Sequence, residues 1–315
     1  SVLADFFQSL SDLAENDPSS KEIRTSVQQN ALKLTETFNQ YYEQLLELQK
    51  LYNDKVSGTV AKINTLLTNI ADTNRQIYAY ELSGEKANEL RDTRNYMIDQ
   101  LSELINISVT ETTDGTLIIT CGGEELVNHL DVTKLEVRPE LTGVVSGEPD
   151  FYEVYLAGSD TVLPFTSGEL KAYQDLRDGN ASDGVGIPRI MSNMNTLAQH
   201  IARLFNEVHS SGYTMPYGSE PSKTGVNLFH VPKAVDEFGN EYEDYSAITA
   251  GNFTLSAEVL ESVFNIAASD QPIDLSAGNT QEGNNKIALA MVTLASSTNL
   301  PGVGGFEAFL KSAMV

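Results

Sequence analysis

The chain has 315 residues, enough for two or three domains, and 41% of them are hydrophobic, enough to build buried cores. Its 44 Asp and Glu against 20 Lys and Arg give a formal net charge of −24, which repels phosphate backbones and anionic lipid and argues against nucleic acid or a membrane as partner. No run approaches the ~20 consecutive apolar residues of a membrane span, and the single cysteine, Cys121, excludes an intramolecular disulfide framework or a cysteine-rich metal site.

Leu3, Phe6, Phe7, Leu10 and Leu13 recur at the spacing of one buried helix face, and Asn16-Asp17-Pro18 closes that helix. Ser19, three residues before Glu22, has the spacing of a capping box that opens a second helix. From Val27 the apolar residues Ala31, Leu34, Phe38, Tyr41, Leu45, Leu48 and Tyr52 follow in steps of four and three, which predicts a coiled-coil seam. Two further steps of four to Val56 and Val60 form a stutter that contains Gly58, and the alternation resumes through Ile63, Leu67, Ile70 and Ile77. A helix from Ser20 to Leu82 would span roughly 90 Å at ~1.5 Å per residue.

Ser83-Gly84 ends that helix, and Ala87, Leu90, Met97, Ile98, Leu101, Leu104 and Ile105 predict a third one returning antiparallel. The period then changes to two. Ile107 and Val109, the turn signal Asp114-Gly115 and the run Thr116 to Thr120 predict a hairpin. Gly122-Gly123, Gly143, Gly147 and Gly158 punctuate further strands, including Phe151 to Leu156. Helical spacing returns at Ile187, Pro188, Met191, Met194, Leu197, Ile201, Leu204 and Val208. A region rich in Gly, Pro, Asn and Tyr follows, and then a late apolar helix from Lys286 to Leu294.

The expected fold class is multidomain α+β, an elongated, coiled-coil-like α-helical bundle carrying inserted β-rich domains. Residues 1–105, 167–212 and 284–315 form the helical body, 106–166 a β-rich insertion and 213–283 a second insertion of strands and loops.

The chemistry-bearing residues form no catalytic signature. His129, His200, His209 and His230 contain no pair at i, i+4, and His200 and His209 point to opposite sides of one helix, so structural roles are expected for them. Gly302-Val303-Gly304-Gly305 lacks a phosphate-reading lysine and reads as a loop. The acidic stretch Asp236 to Asp244 has hard oxygen ligands of the kind calcium takes, but its spacing is not that of an EF-hand, and Gly239-Asn240 between aromatics reads as a hairpin tip. No catalytic, cofactor-binding or metal-binding residue is assigned, and no cofactor is expected.

Several stretches, taken in order, resemble the flagellar hook-associated protein 1 (FlgK) family. They are Phe6 to Ala14, Ile70 to Ile77, Ala87 to Arg94 leading into Leu101 to Leu104, and Asp114 to Thr116 with Gly122-Gly123 and Leu126-Val127. Ser167 to Leu170 with Leu176 to Asp178, Asn206 to His209 running on to Gly212-Tyr213, and Gly283 to Asn285 before Ile287 to Ala290 complete the series. Two departures are local: Asn88 to Asn95 reads NELRDTRN where the family pattern is NDLLDQRD, and Ser167 stands where a second glycine is expected.

The resemblance implies a structural, non-enzymatic subunit of the bacterial flagellum that connects hook to filament, extracellular and delivered by flagellar type III export. It implies hook protein, the second junction protein and copies of itself as partners, and an export chaperone bound through a C-terminal arm. The family's terminal heptad arms are not in this sequence, so the expectation is a central portion that is monomeric alone. The alternatives are another flagellar axial protein, flagellin or the second junction protein, and a surface-displayed hydrolase between Gly143 and Gly283.

Overall fold

The computed structural model describes residues 1–112, 115–140, 151–179, 186–276 and 280–296. Its elements in chain order are α1 (Val2–Glu15), α2 (Lys21–Glu81), α3 (Asn88–Leu104), β1 (Ser108–Glu111), β2 (Leu117–Cys121), β3 (Glu124–Asn128), β4 (Asp131–Val132), β5 (Leu135–Glu140), β6 (Phe151–Leu156), α4 (Glu169–Asp178), α5 (Ile187–His209), β7 (Lys233–Val235), β8 (Glu241–Glu243), α6 (Ala257–Glu261) and α7 (Lys286–Thr293). The chain divides into two compact units, Ser1–Leu46 with Ile190–Val315, and Glu47–Arg189. Asp114, Gly143, Gly147 and Gly302 to Gly305 lie outside the described residues.

In the first unit, α1 starts on the Ser1 hydroxyl, which accepts from the Ala4 amide at 3.3 Å, and buries Leu3, Phe6, Leu10 and Leu13 as its spacing predicts. The cap of α2 is Ser20 rather than Ser19. The Ile23 amide donates to Ser20 Oγ at 3.4 Å, while the Ser19 amide and hydroxyl both turn back to the Asp17 carboxylate. That tight turn through Pro18 consumes the Ser19 side chain and moves the helix start one residue on. The core joins α1, α2 and α5 to the segments after α5 through a phenyl cluster: Phe6 and Phe205 rings lie 5.2 Å apart, Phe205 and Phe229 5.9 Å, and Phe229 and Phe253 4.8 Å. On α7, Ile287, Ala288 and Met291 complete this core.

The apolar seam of α2 is interrupted. Val27, Ala31, Leu34 and Phe38 are buried, as are Val56, Val60, Ile63, Leu67 and Ile70, but Tyr41 is 51% exposed and Leu48 37%. At the start of the second unit the buried positions are polar. Gln49 donates to the Arg177 carbonyl at 3.0 Å, and Asn53 accepts from the Tyr152 amide at 2.8 Å. These side chains terminate backbone groups of α4 and β6, so a continuous hydrophobic seam is replaced there by hydrogen bonding.

The rest of the second unit packs on α2. The antiparallel sheet β1-β2-β3-β4 presents Leu117, Ile119 and Cys121 to the cluster that contains Ile63, Leu67 and Ile70. Gly122 and Gly123, at φ +59° and +94°, make the two-residue turn between β2 and β3. β5 and β6 pair antiparallel from Leu135↔Leu156 to Glu140↔Phe151. Asn64 of α2 grips Leu135 from both sides, donating to its carbonyl and accepting from its amide at 2.8 Å each. Helix α3 runs back along α2, with Arg91 beside Glu81 and Arg94 beside Asn74.

Candidate functional site

The four histidines are dispersed, and among the described residues no group of three His, Cys, Asp or Glu side chains converges as a metal site would require. Cys121 is buried under the sheet, where burial pushes its thiol up to about 11, far from a reactive thiolate. In the acidic stretch, Asp236 is committed to its own turn: it accepts from the Phe238 amide at 2.9 Å and the Asn240 amide at 2.8 Å. The Asn240 side chain and amide hold its carboxyl below the usual range. Gly239 at φ +85° completes the tip between β7 and β8, as the sequence predicts.

Two constellations of buried polar residues stand out. In the first unit, Asn206 and His209 hold α5 to the chain that follows it. Asn206 Oδ1 accepts from the Leu228 and Phe229 amides at 3.0 and 2.9 Å, and its Nδ2 donates to the Phe229 carbonyl at 3.0 Å. His209 Nδ1 lies 2.7 Å from the Val226 carbonyl and its Nε2 accepts from the Ala267 amide at 2.8 Å, which makes the ring a neutral Nδ1–H tautomer. Its complete burial lowers the pKa to about 4. Arg24, also fully buried, donates through Nε to the Pro18 carbonyl at 2.6 Å and through Nη1 to the Ile266 carbonyl at 2.5 Å. Burial lowers this guanidinium to about 10.

In the second unit a cavity of about 200 Å³ opens where α2, α3 and the β1–β2 turn meet, lined by Tyr78, Glu81, Arg91, Arg94 and His129 among others. Glu81 takes Arg91 bidentately, at 2.8 Å to Nε and 2.7 Å to Nη2, and also accepts from the Ala87 amide at 3.1 Å. Those bonds from Arg91 and Ala87 hold the Glu81 carboxyl at about 2. Glu111 bridges Arg91 at 2.8 Å and Arg94 at 3.1 Å, and Arg94, only 3% exposed, reaches Asn74 Oδ1 at 3.2 Å. Asn74 in turn donates to the His129 carbonyl at 2.8 Å. The charges in this cavity neutralise one another. Among the described residues, Arg94 Nε and His129 Nδ1 are buried with no hydrogen-bond partner. The arrangement braces the α2–α3 hairpin against the sheet; each carboxylate is locked by arginine, so none is poised as a general base.

Asn206, His209, Arg94 and Arg177 all lie within the stretches that carry the family resemblance, whereas the buried Arg24 lies outside them. A signal was present: Arg24 falls three residues before Val27, Arg94 between Leu90 and Met97, and Arg177 seven after Leu170, each on an apolar stripe. A cation on such a stripe either reaches water past the apolar surface or, when buried, carries partners.

Residues 1–229 match the family model described as the flagellar hook-associated protein FlgK helical domain. Flagellar hook-associated protein 1 of Bacillus subtilis (strain 168) is 29% identical over 232 residues, which cover 68% of this chain and 45% of that protein. The protein of the same name from Escherichia coli (strain K12) is 25% identical over 223 residues, 67% of this chain and 38% of that one. The chain thus spans less than half the length of these relatives. The structure of the flagellar hook junction protein FlgK from Burkholderia pseudomallei superposes with a TM-score of 0.58 at 22% identity, over 74% of this chain and 40% of that one, and shares its fold. The chain belongs to the family of the flagellar hook-associated protein FlgK helical domain.

Proposed function

We propose that this protein is a structural subunit of the bacterial flagellum that joins hook to filament, in contact with hook protein, the second junction protein and further copies of itself. The family match over residues 1–229 carries this reading. The buried polar network supports it, because Arg24, Asn206, His209, Arg94 and Asn74 are spent on holding helices to strands rather than on a substrate. Work of this kind is mechanical and not enzymatic. The subunit acts outside the cell after flagellar type III export, with a chaperone engaging a C-terminal arm. No helix among the described residues is long and apolar enough to cross a membrane.

Within the subunit, residues 1–105, 167–212 and 284–315 supply the helical body, and 106–166 and 213–283 are insertions carried on it. This division by element type cuts across the two compact units, because the sheet packs on the second half of α2.

Deleting the gene tests the proposal. Cells should then build hooks without filaments and shed filament protein into the medium, and the intact gene should restore filaments. Normal filaments on the deletion strain would refute it.

A further inference from the structure

The β7–β8 hairpin holds apolar side chains away from the core of its unit. Phe238 at its tip is 80% exposed, Val235 63% and Tyr242 50%. The tip is rigid: the Asp236 carboxylate accepts from the Phe238 and Asn240 amides and, at 3.0 Å, from the Asn240 side chain. A phenyl group carried on a braced turn spares the backbone ordering that a flexible loop would need on binding, so it suits an anchor residue. Between Lys233 and Asp244 the acidic residues are Asp236, Glu237, Glu241, Glu243 and Asp244, the one cation of that segment is Lys233, and Lys233 is paired to Glu241 at 3.0 Å.

We infer that this hairpin is a docking knob, Phe238 entering an apolar pocket edged by lysine or arginine on a protein other than this one. The acidic collar requires basic residues around the pocket, since a like-charged rim would oppose the approach. A second copy of the chain, at net charge −24, is a poor host for an acidic knob. The inference goes beyond the flagellar reading and stands whichever neighbour supplies the pocket.

The test replaces Phe238 in the full gene product with a photo-crosslinking benzophenone amino acid, expressed in the cells that normally make it, and maps the adduct by mass spectrometry. The expected adduct is to a different protein, on an apolar segment flanked by Lys or Arg. Glu237→Lys in the same background, which reverses the charge beside Phe238 and leaves the Lys233–Glu241 pair intact, should cut its yield by about fivefold or more, with an unchanged thermal melt. No adduct, an adduct to another copy of this chain, an adduct on an acidic segment, or an unchanged yield after charge reversal would each overturn the inference. Failure of the flagellar reading shows separately, as normal filaments on the deletion strain.

Discussion

Asn206 engages both backbone groups of Phe229: its Oδ1 accepts from the Phe229 amide at 2.9 Å and its Nδ2 donates to the Phe229 carbonyl at 3.0 Å. The side-chain amide therefore acts as one link of a strand, tying α5 to an extended segment whose other edge bridges antiparallel to Leu255. Asn206→Asp keeps the shape but turns the donor into an acceptor facing a buried carbonyl. It should lower stability by about 3 kcal/mol, read as a shift of the urea midpoint, and Asn206→Ala should cost somewhat less.

His209 makes stability depend on pH. Its folded pKa is about 4 against an ordinary 6.5, so between those values the unfolded chain binds more protons than the folded one. Stability is complete above the upper value and falls as pH drops toward the lower, by roughly 3 kcal/mol for this group alone. Urea titrations at about pH 7.5 and pH 5 should show the wild type losing more stability between them than His209→Gln. Equal losses would place the pH sensitivity elsewhere.

Two glycines should respond in opposite directions. Gly168 sits at φ +96° before α4, and a Cβ there would lie 2.5 Å from the Leu104 carbonyl oxygen, so Gly168→Ala should destabilise by about 3 kcal/mol or more. Gly58 is inside α2 with nothing near its missing Cβ, and Gly58→Ala should stabilise by about 1 kcal/mol through helix propensity. Thermal melts of the two variants check both signs.

The α2–α3 hairpin depends on the arginine pair. Arg91→Ala removes the bidentate partner of Glu81 and should raise hydrogen exchange in residues 82–88 while leaving β2 and β3 protected. Arg94→Lys should be harmful as well, since one ammonium cannot reach both Asn74 and Glu111 as the guanidinium does.

Much of this was legible in the sequence. The 61 residues of α2, the returning α3, the hairpin after Ser108 and the tip at Gly239-Asn240 follow from apolar period and turn chemistry, signals that are local. The interruption of the seam near Tyr41 and Leu48 was not, because apolar residues continue there at the same spacing and only the backbone of β6 and α4 makes Gln49 and Asn53 the buried ones. The cap at Ser20 instead of Ser19 turned on a competing local bond to Asp17 that spacing does not rank. The partners of Arg24 and His209 lie far along the chain, at Ile266 and Ala267, and no periodic pattern pairs residues at that distance.

The central claim is a place in the flagellum, and the direct measurement is to see the protein there. Full-length protein bearing a small electron-dense label should be seen by electron microscopy of intact flagella at one position only, the boundary between hook and filament. Label spread along the filament, or flagella that carry none, would contradict the account.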